Sequence, residues 1–350
     1  MLMLDAKNVL TVGIDYRVVR GGVAAVENVY STFYKPFNHV ATTIDGGEPK
    51  WKKLLVLVKA YFKFWGWMLF HPEIRIVHVQ GASGVSFWRK RVFIRMAKRC
   101  GRKVVWHMHG GMFDDFSKTH RKAVEETLGC CDAVIALSEY WKNFFETEFD
   151  YHRVIVVKNV IAAPQVDKQP HECFTLLFLG LFGQNKGIYD LVDVIAQHKE
   201  EFHGQLKLRV GGNGEVDKVK NLIKEKEISD IVSYEGWVSG ARKVELLNAS
   251  DAYILPSYKE GLPISILEAM SYGLPTISTR VGGIPEIITD GVNGYLIIPG
   301  DKDAIYASIK KLLDNPELAK QMGAKSLERV KEHLPAYVEK QLHDLYESLV

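Results

Sequence analysis

Short apolar runs rich in Val, Ile and Leu recur along this chain, each closed by a small or polar residue and followed by a stretch with helical spacing. In the first half they are VLTVGI (9–14), HVATTI (39–44), RIVHVQ (75–80), KVVWHMH (103–109), AVIALS (133–138) and RVIVVKN (153–159). In the second half they are FTLLFLG (174–180), LKLRVGG (206–212), IVSYEG (231–236), AYILPS (252–257), PTISTR (275–280) and GYLIIP (294–299). Strands that alternate with helices predict parallel sheets flanked by helices, an α/β fold. Two sets of six, parted by the strandless IAAPQVDKQPHE (161–172), predict two Rossmann-like domains, residues 1–163 and 171–333, with a linker near 161–172. The tail LPAYVEKQLHDLYESLV (334–350) has the spacing of one more helix. Ligands of such sheets sit beyond the C-terminal ends of the strands, so the loops just past those ends are the places to seek function.

A chain of 350 residues suits two domains, and 47% hydrophobic with 25% charged residues is the balance of a soluble globular protein. The opening MLMLDAKNVLTVGID is broken by Asp5 and Lys7 and reads as a first strand, not a secretion signal. The longest apolar stretch, Trp51–Pro72, is interrupted by Lys59 and Lys63 and falls short of the ~20 apolar residues of a spanning helix. Cys100, Cys130, Cys131 and Cys173 lack CxxC spacing and are too few for a disulfide framework, which points to a reduced, cytoplasmic setting.

The net charge of +3 conceals an asymmetry, about +9 over residues 1–160 against about −6 for the rest. Most of the excess lies in WRKRVFIRMAKRCGRK (Trp88–Lys103), which holds no acidic residue. Its apolar stripe, Val92, Phe93, Met96 and Ala97, opposes Arg91, Arg95, Lys98 and Arg102. Such a helix is either the solvated face of a packed element or a surface for anionic lipid, which would place the protein peripherally on the inner face of the plasma membrane. Trp51, Tyr61, Phe62, Trp65 and Trp67 either assist at that interface or, as the commoner case, belong to the core of the same domain. No nucleic-acid-binding motif accompanies the basic run, and no nucleic-acid partner is expected.

Two carboxylates, Glu260 and Glu268, flank a Gly-Leu-Pro in YKEGLPISILEAMSYGLPTI. On one continuous helix they would stand about 80° and about 12 Å apart, too far to share a proton. Gly261 and Pro263 instead predict a helix starting near Pro263, with Glu260 on the preceding loop and Glu268 inside the helix. Free N–H groups of that helix start would lie between the carboxylates, an arrangement suited to a ligand with phosphates in the middle and hydroxyls at both ends. The alternative is a Glu268 that pairs locally with a Lys or caps its own helix, and a Glu260 that is a solvated loop charge.

The wider stretch PSYKEGLPISILEAMSYGLPTISTRVGGIPEIITDGVNGYLIIPGD resembles the donor-site signature of the retaining GT-B glycosyltransferases of family 4. YRVVRGGVAAVENVY, VVWHMHGGMF, FLGLFGQNKGIYDLVDVI and VGGNGE resemble further motifs of that family in its own order. The resemblance implies a GT-B fold, two Rossmann-like domains with parallel sheets facing across a cleft, the first taking the acceptor, the second the donor. The last helix, 334–350, would cross back to the first domain. It implies retaining transfer of a sugar from a UDP- or GDP-sugar to a glycan or lipid-linked glycan, plausible in bacterial surface polysaccharide synthesis. No resident cofactor and no metal are implied, the nucleotide sugar being a co-substrate. Glu260 would bind donor-sugar hydroxyls with the N–H groups of Gly261 and Leu262, and Glu268 the ribose. Lys186 would neutralise the diphosphate, Gly21 and Gly22 would admit it to close backbone approach, and His109 would orient the transferred sugar. The resemblance thus makes His109, Glu260 and Lys186 the residues nearest the chemistry.

One position departs from the family pattern. Leu181 stands where an Arg usually precedes the donor-site lysine by five residues, and Arg17, Arg20, Arg242 and Arg280 are the candidate replacements. The departure motivates two competing readings, a non-catalytic nucleotide-binding relative and a nucleotide-sugar epimerase. His107 and His109 lie two apart on a strand, as metal ligands can, but no third ligand is near in sequence, and His107 is expected to be a core histidine. GGNGEV departs from GxGxxG at Asp217, so a nicotinamide site is not expected.

Overall fold

The computed structural model describes residues 5–44, 48–168 and 172–350, so the first four residues of the opening stretch and positions 169–171 of the linker lie outside the described residues. The chain divides into two compact units, Met1–Ala162 with Glu332–Val350, and Ala163–Lys331.

The first unit is built on β1 (Val9–Gly13), β2 (His39–Ala41), β3 (Ile76–Gly81), β4 (Lys103–Met108), β5 (Ala133–Ala136) and β6 (Val154–Val156). All pair in parallel in the order β2-β1-β3-β4-β5-β6. Every residue of β3 and all but Lys103 of β4 are buried, as central strands covered on both faces must be. Helices α1 (Gly22–Phe33), α2 (Lys50–Phe70) and α3 (Val85–Arg99) follow β1, β2 and β3. The core gathers Phe64, Phe87, Phe93, Trp106, Phe113 and Phe145. The helix Pro335–Leu349 also belongs to this unit and buries Val338, Leu342, Leu345 and Tyr346.

The second unit holds β7 (Phe174–Phe182), β8 (Leu206–Gly214), β9 (Val232–Tyr234), β10 (Ala252–Leu255), β11 (Thr276–Thr279) and β12 (Gly294–Ile297). They are again parallel, in the order β12-β11-β10-β7-β8-β9. The α/β expectation and all twelve expected strands are therefore present. Chain direction across the sheet reverses between β1 and β3 in one unit and between β7 and β10 in the other, and such switch points open a crevice at the strand ends.

Two sequence expectations need correction. The buried face of α3 is offset from the expected stripe: Val92 is 47% exposed, whereas Lys90 is only 3% exposed. Lys90 shares a helical face with Phe93, Ile94 and Ala97, and its ammonium donates to Val12 O (3.2 Å) and Gly13 O (2.6 Å). Of the five aromatics expected in the core, Trp65 and Trp67 pack partly against it. Trp51 and Phe62 are exposed because they lie on the opposite side of α2 from Ala60, Phe64 and Met68, and Tyr61, at the border of that buried face, is exposed as well.

Candidate functional site

In the second unit the loops after β7 and β10 meet at the switch point between those strands. β7 ends at Phe182 and the chain turns through Gly183 into a single turn, Gln184–Lys186. β10 ends at Leu255 and leads through Ser257 to Glu260, after which Pro263 caps the helix Ile264–Ser271. Tyr258 N donates to Asn185 O (2.9 Å), tying one loop to the other. This brings Lys186 Nζ to 2.5 Å from Glu260 Oε1, and Ser257 Oγ donates to the same oxygen at 2.8 Å. Glu260 is 8% exposed, so it is not a solvated loop charge.

Glycine makes this approach possible at two points. Gly187 (φ +68°) carries the chain away from Lys186 with its Cα so near β10 that a Cβ would lie 2.1 Å from Pro256 O. Gly282 (φ +53°), in the Gly-Gly-Ile-Pro-Glu after β11, would place a Cβ 2.1 Å from Glu260 O. Only glycine adopts that conformation there and clears the neighbouring carbonyl. Gly283 N then donates to Gly261 O (2.8 Å), and Thr279 Oγ1 to Ser257 O (2.6 Å), so three strand-end loops brace one another around Glu260.

Glu268 lies in the fifth position of the helix Ile264–Ser271 and accepts from Lys243 Nζ at 2.5 Å. Its partner is 25 residues away in the chain, not a local helical neighbour. Leu262 is buried beside Gly261 on the same loop. Leu181, near the end of β7, is 56% exposed. Arg242 is held by Glu235 and Glu245, and Arg280 pairs with Asp290 at 3.1 Å.

The first unit assembles a separate polar cluster at the ends of β1, β3 and β4. Gly21 caps α1 and Gly22 is its first residue, so both lie at the start of the helix that follows β1. Arg17 donates to both carboxylate oxygens of Asp15 and holds its pKa below the usual carboxylate value. Arg20 is exposed. A small recess at the β1–β3 switch is lined by Ile14, Val23, Thr43, Gln80, Gly81 and Lys90. Burial lowers Lys90 to about 7, with the Glu27 carboxylate opposing the shift.

His109 Nε2 lies 2.5 Å from Gln80 Oε1, and its ring stacks on His107 at 4.1 Å. His107 is fully buried, and its Nδ1 lies 3.2 Å from His78 Nε2. His78 Nδ1 in turn lies 2.5 Å from Tyr346 Oη. Burial, reinforced by the Lys90 charge, lowers His109 to about 3. At neutral pH it is a neutral imidazole that donates to Gln80 and resists taking a proton. Among the described residues no group of three or more His, Cys, Asp or Glu is arranged to hold a metal ion.

The structure thus joins Lys186 to Glu260, leaves Glu268 on its own lysine, and puts Gly21, Gly22 and His109 in the other unit. Sequence reasoning did not single out Ser257, Lys243, Gln80 or Lys90. Ser257 carried a usable signal, a hydroxyl just past a strand end; Lys243 carried none, since its partner lies on another helix.

The sequence profile of the family described as "Glycosyl transferases group 1" matches residues 162–329. A curated relative, the N-acetyl-alpha-D-glucosaminyl L-malate synthase of Bacillus anthracis, is 37% identical over 157 residues, which is 45% of this chain and 40% of the relative. The chain spans about half the length of the curated relatives it matches. Sucrose-phosphate synthase from Thermosynechococcus elongatus superposes with a TM-score of 0.80 over 97% of this chain and 98% of its own, at 18% identity. The Anabaena protein HepE in complex with UDP-glucose gives 0.77 over 97% and 99%, also at 18% identity. Those structures, matched along nearly its whole length, show that the chain has the GT-B fold, and its second unit matches the profile of glycosyl transferases group 1.

Proposed function

We propose that this protein is a retaining, family 4 glycosyltransferase that moves a sugar from a nucleoside diphosphate sugar to a glycan or lipid-linked glycan. The observation that carries the reading is the Lys186–Glu260 pair, formed by the loops of β7 and β10 at the switch point of the second sheet. A UDP-sugar is the first donor to test, because UDP-glucose occupies the similar Anabaena structure.

When the donor enters, Lys186 exchanges Glu260 for the diphosphate, whose charge grows as the bond to the sugar breaks. Glu260, released from the lysine but still held by Ser257, accepts from sugar hydroxyls, and Glu268 accepts from the ribose. Neither carboxylate moves a proton, unlike the pair in a glycoside hydrolase. The acceptor oxygen bonds to the anomeric carbon on the face that the phosphate leaves, and the departing phosphate oxygen takes the acceptor's proton. A neutral His109 with a pKa near 3 suits an orienting role better than that of a base. Gly21 and Gly22, at the start of α1, would offer backbone N–H groups to the diphosphate.

The test is a panel of UDP- and GDP-sugars incubated with and without glycan and lipid-linked glycan acceptors, followed by NMR of the products. Acceptor-dependent release of nucleoside diphosphate, with the anomeric configuration kept, is the expected result. Nucleotide binding without release under any acceptor would replace the proposal with a non-catalytic role. Conversion of the sugar without acceptor would replace it with epimerisation.

A further inference from the structure

α2 is amphipathic in the unusual sense. Its buried face is narrow, Ala60, Phe64 and Met68, while Trp51 (60%), Leu54 (60%), Leu55 (50%), Val58 (46%), Phe62 (69%) and Leu69 (67%) are exposed. At about 100° per residue, these six and Tyr61 fall within an arc of roughly 120°, a continuous stripe about 27 Å long from Trp51 to Leu69. The exposed fractions amount to an apolar area on the order of 700 Å², above the ~300–600 Å² of the largest patch on an ordinary monomer. Lys52, Lys59 and Lys63 flank the stripe together, at roughly 80–120° from Trp51. α2 itself contains no acidic residue. Lys52 reaches Glu48 just before it at 2.9 Å, and the Lys63 ammonium donates to His39 O at 2.8 Å, which leaves Lys59 as the lysine most fully turned to the flank.

We propose that the exposed face of α2 docks on an anionic lipid bilayer, lying in the plane of the interface. An apolar arc bordered by lysines fits a surface whose hydrocarbon lies beneath negative headgroups. Among the described residues no helix is long and apolar enough to cross a membrane, so the contact is with one leaflet. The basic run Trp88–Lys103 contributes less than its charge suggests. Lys90 is buried, Arg91 pairs with Glu126, Lys98 and Lys103 share Asp132, and Arg102 donates to Met68 O and Pro72 O. α2 follows β2, so the stripe starts at the same edge of the sheet as His109, where a lipid-linked acceptor would arrive. The inference stands on exposure and charge and does not depend on the transfer reaction.

Co-sedimentation of the full chain with phosphatidylcholine vesicles, with and without phosphatidylglycerol, tests it. The wild type should sediment with the phosphatidylglycerol vesicles. Leu55→Ser with Val58→Ser and Phe62→Ser should weaken that binding by about two orders of magnitude, since three apolar side chains lose their burial. Lys59→Gln should weaken it about fivefold, and Lys52→Gln and Lys63→Gln by less, since Lys52 is paired with Glu48 and Lys63 is bonded to His39 O; all three losses should appear only on the anionic vesicles. Thermal melts matching the wild type establish that the variants fold, as expected for exposed positions. A wild type that stays in the supernatant overturns the proposal, as does a triple serine variant that sediments equally well. A wild-type dimer by light scattering, dissociated by the serine substitutions in a chain that ignores vesicles, would assign the stripe to a second copy instead.

Discussion

Mild acid should destabilise the first unit through its histidines. Burial lowers His78 and His109 to about 3, and it lowers His107 well below the ordinary 6.5, with neighbouring imidazoles adding to the shift. As pH falls below about 6.5 the unfolded chain takes up protons that the folded chain refuses, so stability falls progressively until about pH 3. At about pH 5 the cost is ~2 kcal/mol for each of His78 and His109, or ~4 kcal/mol for the two, with His107 acting in the same direction. Because His78 and His107 share a hydrogen bond and His107 stacks on His109, the three titrate as a set. That loss is a large part of an ordinary domain's ~5–15 kcal/mol. Urea unfolding followed by tryptophan fluorescence measures it in the right unit, because every tryptophan except Trp237 lies in the first. The wild type should lose ~4 kcal/mol or more between about pH 7.5 and about pH 5, and His78→Gln should lose ~2 kcal/mol less. Equal stability of the wild type at the two pH values would refute the reasoning, because it would mean that the folded state already accepts those protons.

Other perturbations test the same geometry. Lys90, lowered to about 7, gives up its proton in the folded state first, so stability should rise by roughly 2 kcal/mol between about pH 7 and about pH 9. Lys90→Met should remove that rise in urea titrations, and an unchanged rise would place the proton elsewhere. Lys186→Ala takes from Glu260 its ion-pair partner and, on the proposed reading, the diphosphate's cation; donor affinity measured by calorimetry should fall at least about tenfold. Gly282→Ala forces a left-handed conformation worth ~1–2 kcal/mol and drives a Cβ into Glu260 O, so the thermal stabilisation given by a donor nucleotide should shrink. Undiminished stabilisation would show that the Glu260 loop does not hold the nucleotide. Leu181→Arg, at a 56% exposed position, should fold normally and bind donor at least as tightly; lost affinity in a folded variant would show that this position does not face the phosphates.

The strands were legible because central parallel strands, buried on both faces, read as unbroken apolar runs between turn residues. Lys186 and Glu260 are assigned to one site through the family resemblance of the segments that carry them, and the structure pairs the two side chains. Contacts made between distant elements were not legible. Lys243 reaches Glu268 from another helix, and nothing in the spacing of either announces the other. Lys90 sits in the most basic stretch of the chain and reads as surface, yet its helical face is shared with Phe93 and Ala97 and turns inward. α2 shows the converse limit. Periodicity identifies an apolar arc, but it carries no information on whether protein covers it, and here Trp51 and Phe62 are left outside.

The phosphate question raised by Leu181 is sharper for the same reason. Of the arginines considered as substitutes in the second unit, Arg242 is held by two glutamates and Arg280 by Asp290, so recruiting either means breaking an existing pair. Lys186 must also leave a pair, with Glu260, but on the proposed reading the donor's own hydroxyls would take the lysine's place as that carboxylate's partner. The start of the helix Ile264–Ser271 adds N–H groups worth roughly half a positive charge beside the same loop. On the proposed reading, one lysine and the partial charges of two helix starts, this one and that of α1, would face the diphosphate and leave it net negative, which would weaken the hold on the donor and on the released nucleoside diphosphate alike. On the proposed reading, Leu181 therefore acts on how long the leaving group stays, and Leu181→Arg should slow its release more than it speeds bond cleavage.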